Sequence, residues 1–377
     1  MSNGNEPVII VDQDESGLRA AFLEYGGVRS FYFFSENINV GDFYLAKASD
    51  SQPGEIGWFM DLGDGQYGFL PRNKALPGKK PFTGELRIVQ VEKEAWDGKP
   101  AQLTEQVQVV GRGIAYLPNG GYVAVSRQIA EPARESLRKM ALEWCGNQEG
   151  IVIRTIASGM SPDQLFSELE GSRARWKKIE NDAKNMDKTG IIVRPFSFIE
   201  SILNENHNPT FCTIYSNIPL KEKFPADRVK IIYQAHKNLF SLHGLNKEYA
   251  SATEHIVPLH DGATLAFDYA EALTAIDVNS GSASVGTGWE KFALDINLHA
   301  AREIARQLRL REIGGMIVID FLRLHDSADQ EKVLMELEAE LSHDPATIKV
   351  FGFTEMGLFE LTRKRRRSGL KDRVAVR

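Results

Sequence analysis

Ala275-Ile276-Asp277-Val278-Asn279-Ser280-Gly281 and Met316-Ile317-Val318-Ile319-Asp320-Phe321 are the two stretches on which the fold turns. In each, apolar and β-branched residues predict a buried strand that delivers a carboxylate to its end. Residues 289–311 between them carry a helical pattern, so strand, helix and strand would set Asp277 beside Asp320 in a parallel sheet. Two aspartates so placed suit one hard cation, because magnesium takes oxygen ligands, keeps several waters and needs only one or two protein carboxylates. Asn279 stands two residues beyond Asp277 and shares its face by the strand period. Its neutral amide would donate to a phosphate oxygen or orient a water. Strand-end aspartates with an ordinary turn asparagine are the plainer alternative; the pairing across a helix favours a metal site.

The flanking sequence alternates in the same manner. A hairpin of 263–269 with 272–278, a helix over 328–342 and a strand over 348–353 predict a mixed α/β layer with an open sheet, whose sites form beyond the carboxyl ends of strands. Upstream, strands are predicted at 8–11, 18–25 and 28–34. A further set at 43–46, 56–62, 67–70, 86–91 and 101–110, punctuated by Gly63-Asp64-Gly65 and Asp97-Gly98, reads as a small OB-type barrel. Trp58, Phe59, Tyr67 and Phe69 fall on its adjacent strands. They fill a core or, with Lys47, Lys93 and Lys99 nearby, form a stacking platform for single-stranded bases.

Beyond Thr104 a helix ending near Trp144 precedes a strand, 151–153, that runs into Arg154-Thr155. Ser161-Pro162-Asp163-Gln164 then supplies a helix cap, a first-turn proline and a capping-box glutamine. A strand over 191–193, a linker over 204–209, a strand over 211–215 and a helix over 229–242 complete the chain.

Composition narrows the function classes. Charged residues make up 25% and hydrophobic residues 42% of 377, the balance of a globular protein rather than a disordered one. Apolar runs fall short of the roughly 20 residues a membrane helix needs, and the acidic start lacks a signal-peptide core, so a cytoplasmic location is expected. Cys145 and Cys212 are too few and too far apart for a disulfide framework or zinc ribbon, and read as buried thiols. His255, His260, His299 and His325 show no metal-ligand spacing. A net charge of −6 argues against general coating of nucleic acid. Two basic strips remain, Arg302, Arg306, Arg309 and Arg311 along the helix and Arg363-Lys364-Arg365-Arg366-Arg367 near the end. They read as surfaces for a polyanion, or as a solvated face and an exposed tail.

These motifs resemble the ribonuclease E/G family of single-strand endoribonucleases. Glu271-Ala272-Leu273-Thr274-Ala275-Ile276-Asp277-Val278-Asn279-Ser280 is similar to its catalytic strand, Ile304-Ala305-Arg306-Gln307-Leu308-Arg309-Leu310-Arg311 to the following helix and Ile317-Val318-Ile319-Asp320-Phe321 to its second acidic strand. The closing segment, Gly352-Phe353-Thr354-Glu355-Met356-Gly357-Leu358 and Glu360-Leu361-Thr362-Arg363-Lys364-Arg365, stands nearer to the ribonuclease G branch. Phe59 with Gly68-Phe69-Leu70-Pro71 resembles the RNA-binding barrel, and Gly150-Ile151-Val152-Ile153-Arg154-Thr155 the segment that grips a 5′-monophosphate.

The resemblance implies an RNase H-like scaffold over 1–36 and 201–252, an OB-fold RNA-binding barrel over 37–104, a 5′-sensor subdomain over 105–200 and a DNase I-like catalytic subdomain over 253–377. It implies magnesium, or manganese in its place, bound by Asp277 and Asp320, with Asn279 orienting water or phosphate. Phe59, Phe69 and Lys99 would hold single-stranded RNA, and Arg154 and Thr155 would sense the 5′-phosphate. The expected activity is hydrolysis to 5′-phosphate and 3′-hydroxyl ends in RNA processing and decay. An RNA-binding protein with weak or lost cleavage is the alternative. Three departures stand out. Arg323 replaces an aspartate that members often carry three residues after the second ligand, Ala115 replaces a larger apolar residue in the sensor pocket, and the zinc-sharing cysteines of larger relatives are absent. No zinc is expected, and any homo-oligomer would lack that link.

Overall fold

The computed structural model describes residues 6–15, 17–34, 38–49, 56–95, 98–206, 209–222, 224–281, 288–365, 367 and 369–371. Asp97 of one predicted turn, His207 and Asn208 of the predicted linker, and Arg366 of the basic cluster lie outside the described residues. The chain divides into two compact units, Met1–Phe34 with Pro209–Arg377, and Ser35–Asn208.

Among the described residues the first unit contains two sheets. One runs Val229–Tyr233, Cys212–Ser216, Val8–Asp14, Gly17–Glu24, Gly27–Phe33. The helix expected over 229–242 is here corrected. Val229, Ile231, Ile232 and Tyr233 are β-branched or aromatic, and they pair in parallel with Cys212–Ser216, Ile231 opposite Ile214. Only Leu239–Leu242 is helical, started by Asn238, whose side chain accepts from the Ser241 amide at 2.7 Å.

The second sheet has the order Ile256–Pro258, Thr264–Tyr269, Leu273–Asn279, Gly315–Asp320, Phe359–Arg363, Ile348–Phe353. Leu273–Asn279 and Gly315–Asp320 are joined by the helix Trp289–Leu310 and pair in parallel, while their other neighbours are antiparallel. Ile276, Val278, Ile317 and Ile319 pack on Ile296, Ala300 and Ile304 of that helix and on Val333 and Leu337 of Ser327–Leu341. Helices therefore back one face only, so the acidic strands alternate buried and accessible residues instead of being buried on both faces. Phe359–Arg363 also corrects the sequence reading, because the start of the basic cluster belongs to a strand inside the sheet rather than to a tail.

In the second unit, Phe43–Ala48, Gly57–Gly63, Gln66–Pro71, Ala101–Thr104 and Leu86–Lys93 pair in sequence, and the last returns to the first, closing a five-stranded OB-like barrel. Gly190–Val193 adds to the Phe43–Ala48 strand from outside. A Cβ on Gly68 would come within 2.6 Å of Leu103, so glycine there lets the leucine fill the barrel. The single strand expected over 101–110 is two, Ala101–Thr104 in the barrel and Val109–Val110 in a second sheet with Ile114–Leu117, Gly150–Ile153 and Val123–Val125. The break is fixed locally: the Thr104 hydroxyl accepts from Gln106 N at 3.0 Å and Glu105 accepts from Leu76 N at 2.8 Å. The helix Pro162–Lys184 begins on the predicted capping box, with Ser161 and Gln164 bonding each other's amides at 3.2 and 2.9 Å.

Candidate active site

Asp277 and Asp320 are direct register partners of the parallel pair. Neighbouring strands run about 4.8 Å apart, and both side chains lie on the sheet face opposite the helices because Ile276, Val278 and Ile319 take the helix side. Asp277 is half-buried and Asp320 exposed. Ala266 stands in register on the other side of Asp277 and adds no bulk to the row. Asn279 is exposed on the same face, and its Nδ2 donates to Asp277 Oδ2 at 2.7 Å. The amide orients one carboxylate oxygen and keeps its own carbonyl as an acceptor. Two carboxylates and an amide form a small, hard oxygen donor set, and magnesium, which retains most of its water, fits such a set.

The chain leaving Asp320 is pinned by the backing helix. Asn297, fully buried, accepts from Leu322 N at 2.9 Å and donates to Leu322 O at 2.8 Å. Glu290 accepts from the amides of His325 and Asp326 at 2.7 and 3.2 Å. Sequence reading missed both residues, since a buried asparagine on an apolar helix face carries no motif. Arg323, exposed, lies within this pinned segment.

On the barrel, strand parity separates the aromatics. Trp58 enters the core with Met60 and Leu62, whereas Phe59 and Phe69 are cross-strand partners on the outer face with ring centroids 5.5 Å apart. Tyr67 is exposed on that same strand, and Lys99 is exposed just before Ala101–Thr104.

Arg154 and Thr155 follow the strand Gly150–Ile153. The Arg154 guanidinium donates to Gly111 O at 2.8 Å, to Asn204 Oδ1 at 2.6 Å and to Asn204 O at 3.0 Å. The Thr155 hydroxyl meets Ser126 Oγ at 2.8 Å and Gln128 Oε1 at 2.9 Å. Ala115 is buried in the neighbouring strand, paired with Val152.

Residues 108–366 match the model of the ribonuclease E/G family. The chain belongs to the ribonuclease E/G family. Among its relatives, Ribonuclease G of Salmonella typhimurium (strain SL1344) is 28% identical over 394 residues, covering 96% of this chain and 81% of that protein. Ribonuclease G of Escherichia coli (strain K12) is 29% identical with the same coverage. The Ribonuclease E/G-like protein of Porphyra purpurea is 29% identical over 94% of this chain and 75% of its own length.

In this family member most of the described arginines of the two basic strips are buried or paired within the fold, while Arg302 and Lys364 stay exposed. Arg309 is buried and donates to Ser30 Oγ at 3.1 Å; Arg311, also buried, donates to Glu254 O at 2.7 Å and Ser251 O at 3.2 Å and lies 4.3 Å from the Phe267 ring centre. Arg306 pairs with Glu303 and Glu248, and Arg302 with Glu336. Arg363 is buried between Glu312 and Asp344 at 3.3 and 2.9 Å, and Arg367 reaches Glu312 at 2.8 Å. These guanidiniums consume carboxylates and free carbonyls, which a one-dimensional charge pattern does not reveal. The thiols also differ from each other. Cys212 is buried, which pushes it up to about 12, whereas Cys145 is only half-buried. Among the described residues no helix is long and apolar enough to cross a membrane.

Proposed function

We propose that this chain is an endoribonuclease that hydrolyses single-stranded RNA in RNA processing and decay in the cytoplasm, leaving 5′-phosphate and 3′-hydroxyl ends. The observation that carries it is the register pairing of Asp277 with Asp320, with Asn279 bonded to Asp277, in a chain of the ribonuclease E/G family. Finer features of the fold belong to the same reading: an RNase H-like scaffold formed by the first sheet, a DNase I-like catalytic subdomain formed by the second, and a sensor subdomain beside the barrel.

Asp277 and Asp320 would hold magnesium, with manganese able to replace it. When bound, the ion offsets charge on the phosphoryl oxygens and acidifies a water. Asn279 fixes the Asp277 carboxylate through Nδ2 and offers Oδ1 to position the attacking water. That water's oxygen bonds to phosphorus as the bond to the 3′ oxygen breaks, and the 3′ oxygen leaves with a proton. Phe59 and Phe69 offer ring faces to unstacked bases, with Lys99 near a phosphate. Arg154 and Thr155 are the proposed 5′-phosphate contacts, although Arg154 would have to exchange bonds to carbonyl oxygens for bonds to phosphate. Any homo-oligomer would form without a cysteine-held zinc.

The test is cleavage of a 5′-monophosphorylated single-stranded RNA in magnesium by wild type and Asp320→Asn. Cleavage by wild type and its collapse in the variant, with RNA affinity retained, is the expected result. Equal activity in both would discard the site. Tight binding with no cleavage by wild type would instead make the chain an RNA-binding protein, a reading that Arg323 beside Asp320 favours.

A further inference from the structure

The antiparallel strands Ile348–Phe353 and Phe359–Arg363 form a hairpin at the edge of the acidic sheet. Phe359 stands in register with Ile319, so the turn that precedes it lies beyond Asp320, at the end of the sheet where the second acidic strand stops. The turn is tight. Thr354 N donates to Leu358 O at 2.7 Å, Gly357 N to Thr354 O at 2.9 Å and Leu358 N to Thr354 Oγ1 at 3.2 Å, with Gly357 in the left-handed region at φ +87°. At its base Phe353 and Phe359 pack edge to face with centroids 5.1 Å apart, beside Phe321 in the core. On this anchored turn Met356 is 86% exposed.

A second apolar side chain is presented by the outer strand of the hairpin. Lys349, Thr362 and Met316 are successive register partners, and their neighbours Leu361 and Ile317 take the helix side. This row therefore faces away from the helices, as Asp277 and Asp320 do. The register slips between Val350 and Gly352, where Gly352 takes φ +91°. Such bulges re-aim a side chain. Here the bulged residue is Phe351, 55% exposed, and Lys349 Nζ stands 4.6 Å from its ring centre, which places the ring on the face of the acidic pair. Glu360 is exposed opposite Gly352. Its carboxylate disfavours a phosphate at the middle of the hairpin and leaves uncharged base faces as the fitting contact.

We propose that Phe351 and Met356 hold nucleobases of the RNA strand beside the scissile phosphate, Phe351 by stacking and Met356 by sulfur–aromatic contact, with Lys349 on a phosphate of the same segment. The proposal rests on the nuclease reading and extends it: the acidic pair fixes the reacting phosphate, and the hairpin fixes the bases next to it. The strand of Phe351 is two strands from that of Asp320, roughly 10 Å at the usual spacing, so the contacted bases lie within a few nucleotides of the cut. Stacking accepts every base, and the flexible thioether of methionine adapts to purine and pyrimidine alike. The surface therefore selects unpaired bases rather than one sequence. It is distinct from Phe59 and Phe69, which belong to the other unit.

The experiment measures binding and cleavage separately with full-length protein. Affinity for a short single-stranded RNA is read by fluorescence anisotropy in the Asp320→Asn background, and kcat/KM with Asp320 intact in magnesium. Phe351→Ala should weaken affinity about 5-fold or more, Met356→Ala about 2- to 10-fold, and Phe351→Trp should keep it. Lys349→Met should lower the slope of log affinity against log salt by about 0.7. RNAs with one abasic nucleotide at successive positions supply a readout that a merely structural role does not move. Abasic substitution at one or two adjacent positions should weaken binding to the intact hairpin and cost nothing further in Phe351→Ala. Unchanged affinity in both Phe351→Ala and Met356→Ala overturns the proposal. So does an abasic penalty that is the same in Phe351→Ala as with the intact hairpin, or a change of oligomeric state with RNA affinity intact, which would make the hairpin a contact between copies. If wild type does not cleave while the binding losses appear, the nuclease reading fails and the RNA surface stands.

Discussion

The Asn297 carboxamide closes two hydrogen bonds on the backbone of Leu322, at 2.8 and 2.9 Å, two residues beyond Asp320. A buried amide so engaged determines the path of the chain as it leaves the second acidic strand, and hence where the Asp320 carboxylate stands. Asn297→Leu leaves a buried amide and carbonyl unpaired, at a cost of about 1–3 kcal/mol each. Urea unfolding should register that loss. If Asp320 holds magnesium as proposed, the magnesium dependence of RNA cleavage should shift to higher concentration with kcat partly recovered at saturation, whereas a purely global effect would move stability alone.

Arg363 and Arg302 both form ion pairs, in opposite environments. Arg363 is 1% exposed between two carboxylates, and Arg302 is 46% exposed beside Glu336. Arg363→Met strands the buried charge of Asp344 and leaves Glu312 with Arg367 alone, and should cost about 3–5 kcal/mol. Arg302→Ala should cost no more than about 1 kcal/mol. Neither should change the salt dependence of RNA affinity. A reduced salt slope in either variant would return these arginines to the role of phosphate contacts.

The barrel separates core from surface by strand parity. Trp58→Ala opens a cavity and should destabilise by about 3–5 kcal/mol. Phe59→Ala and Phe69→Ala should leave the melting temperature nearly unchanged and weaken single-stranded RNA binding by about 1–3 kcal/mol for each base unstacked. Fluorescence anisotropy with short RNAs measures the difference.

Sequence was informative wherever a local rule had one structural solution. The acidic strands, the helix between them and the capping box at Ser161 depend on periodicity or on a bond spanning three residues, and the structure follows them. Val229–Tyr233 was misread because a short apolar run fits helix and strand alike until its partner, Cys212–Ser216, is known. The burial of Arg309, Arg311 and Arg363 was not legible for a related reason: the partners that hold the arginine strips, among them Glu312, Asp344, Glu248 and Ser30, come from distant segments.

Arg154 and Thr155 can be tested separately because they are bonded differently. Arg154→Ala frees the carbonyls of Gly111 and Asn204 and should destabilise the second unit whether or not it meets a phosphate. Thr155→Val loses hydroxyl contacts to Ser126 and Gln128 and should cost little stability. If the pair senses 5′-ends, Thr155→Val reduces the rate advantage of 5′-monophosphorylated over 5′-hydroxyl RNA at unchanged stability. An unaltered advantage would remove the hydroxyl from the sensing role.

Glu149 sets a pH dependence in the second unit. Burial acts to raise its carboxyl, but hydrogen bonds from Arg173, from Tyr116 at 2.7 Å and from the Gly146 amide at 3.1 Å outweigh it, and the net shift is downward. A carboxyl depressed on folding binds fewer protons in the folded than in the unfolded chain. Its contribution is fully present above the unfolded carboxylate range and is lost as pH falls through the lower folded value. The affected window is therefore acidic, beginning below about pH 4.5. Glu149→Gln should lower stability at neutral pH and flatten the decline between neutral pH and the acid limit. Urea midpoints measured from pH 7 down to pH 3 provide the test: a variant curve parallel to wild type throughout would mean that this carboxylate does not carry the acid sensitivity.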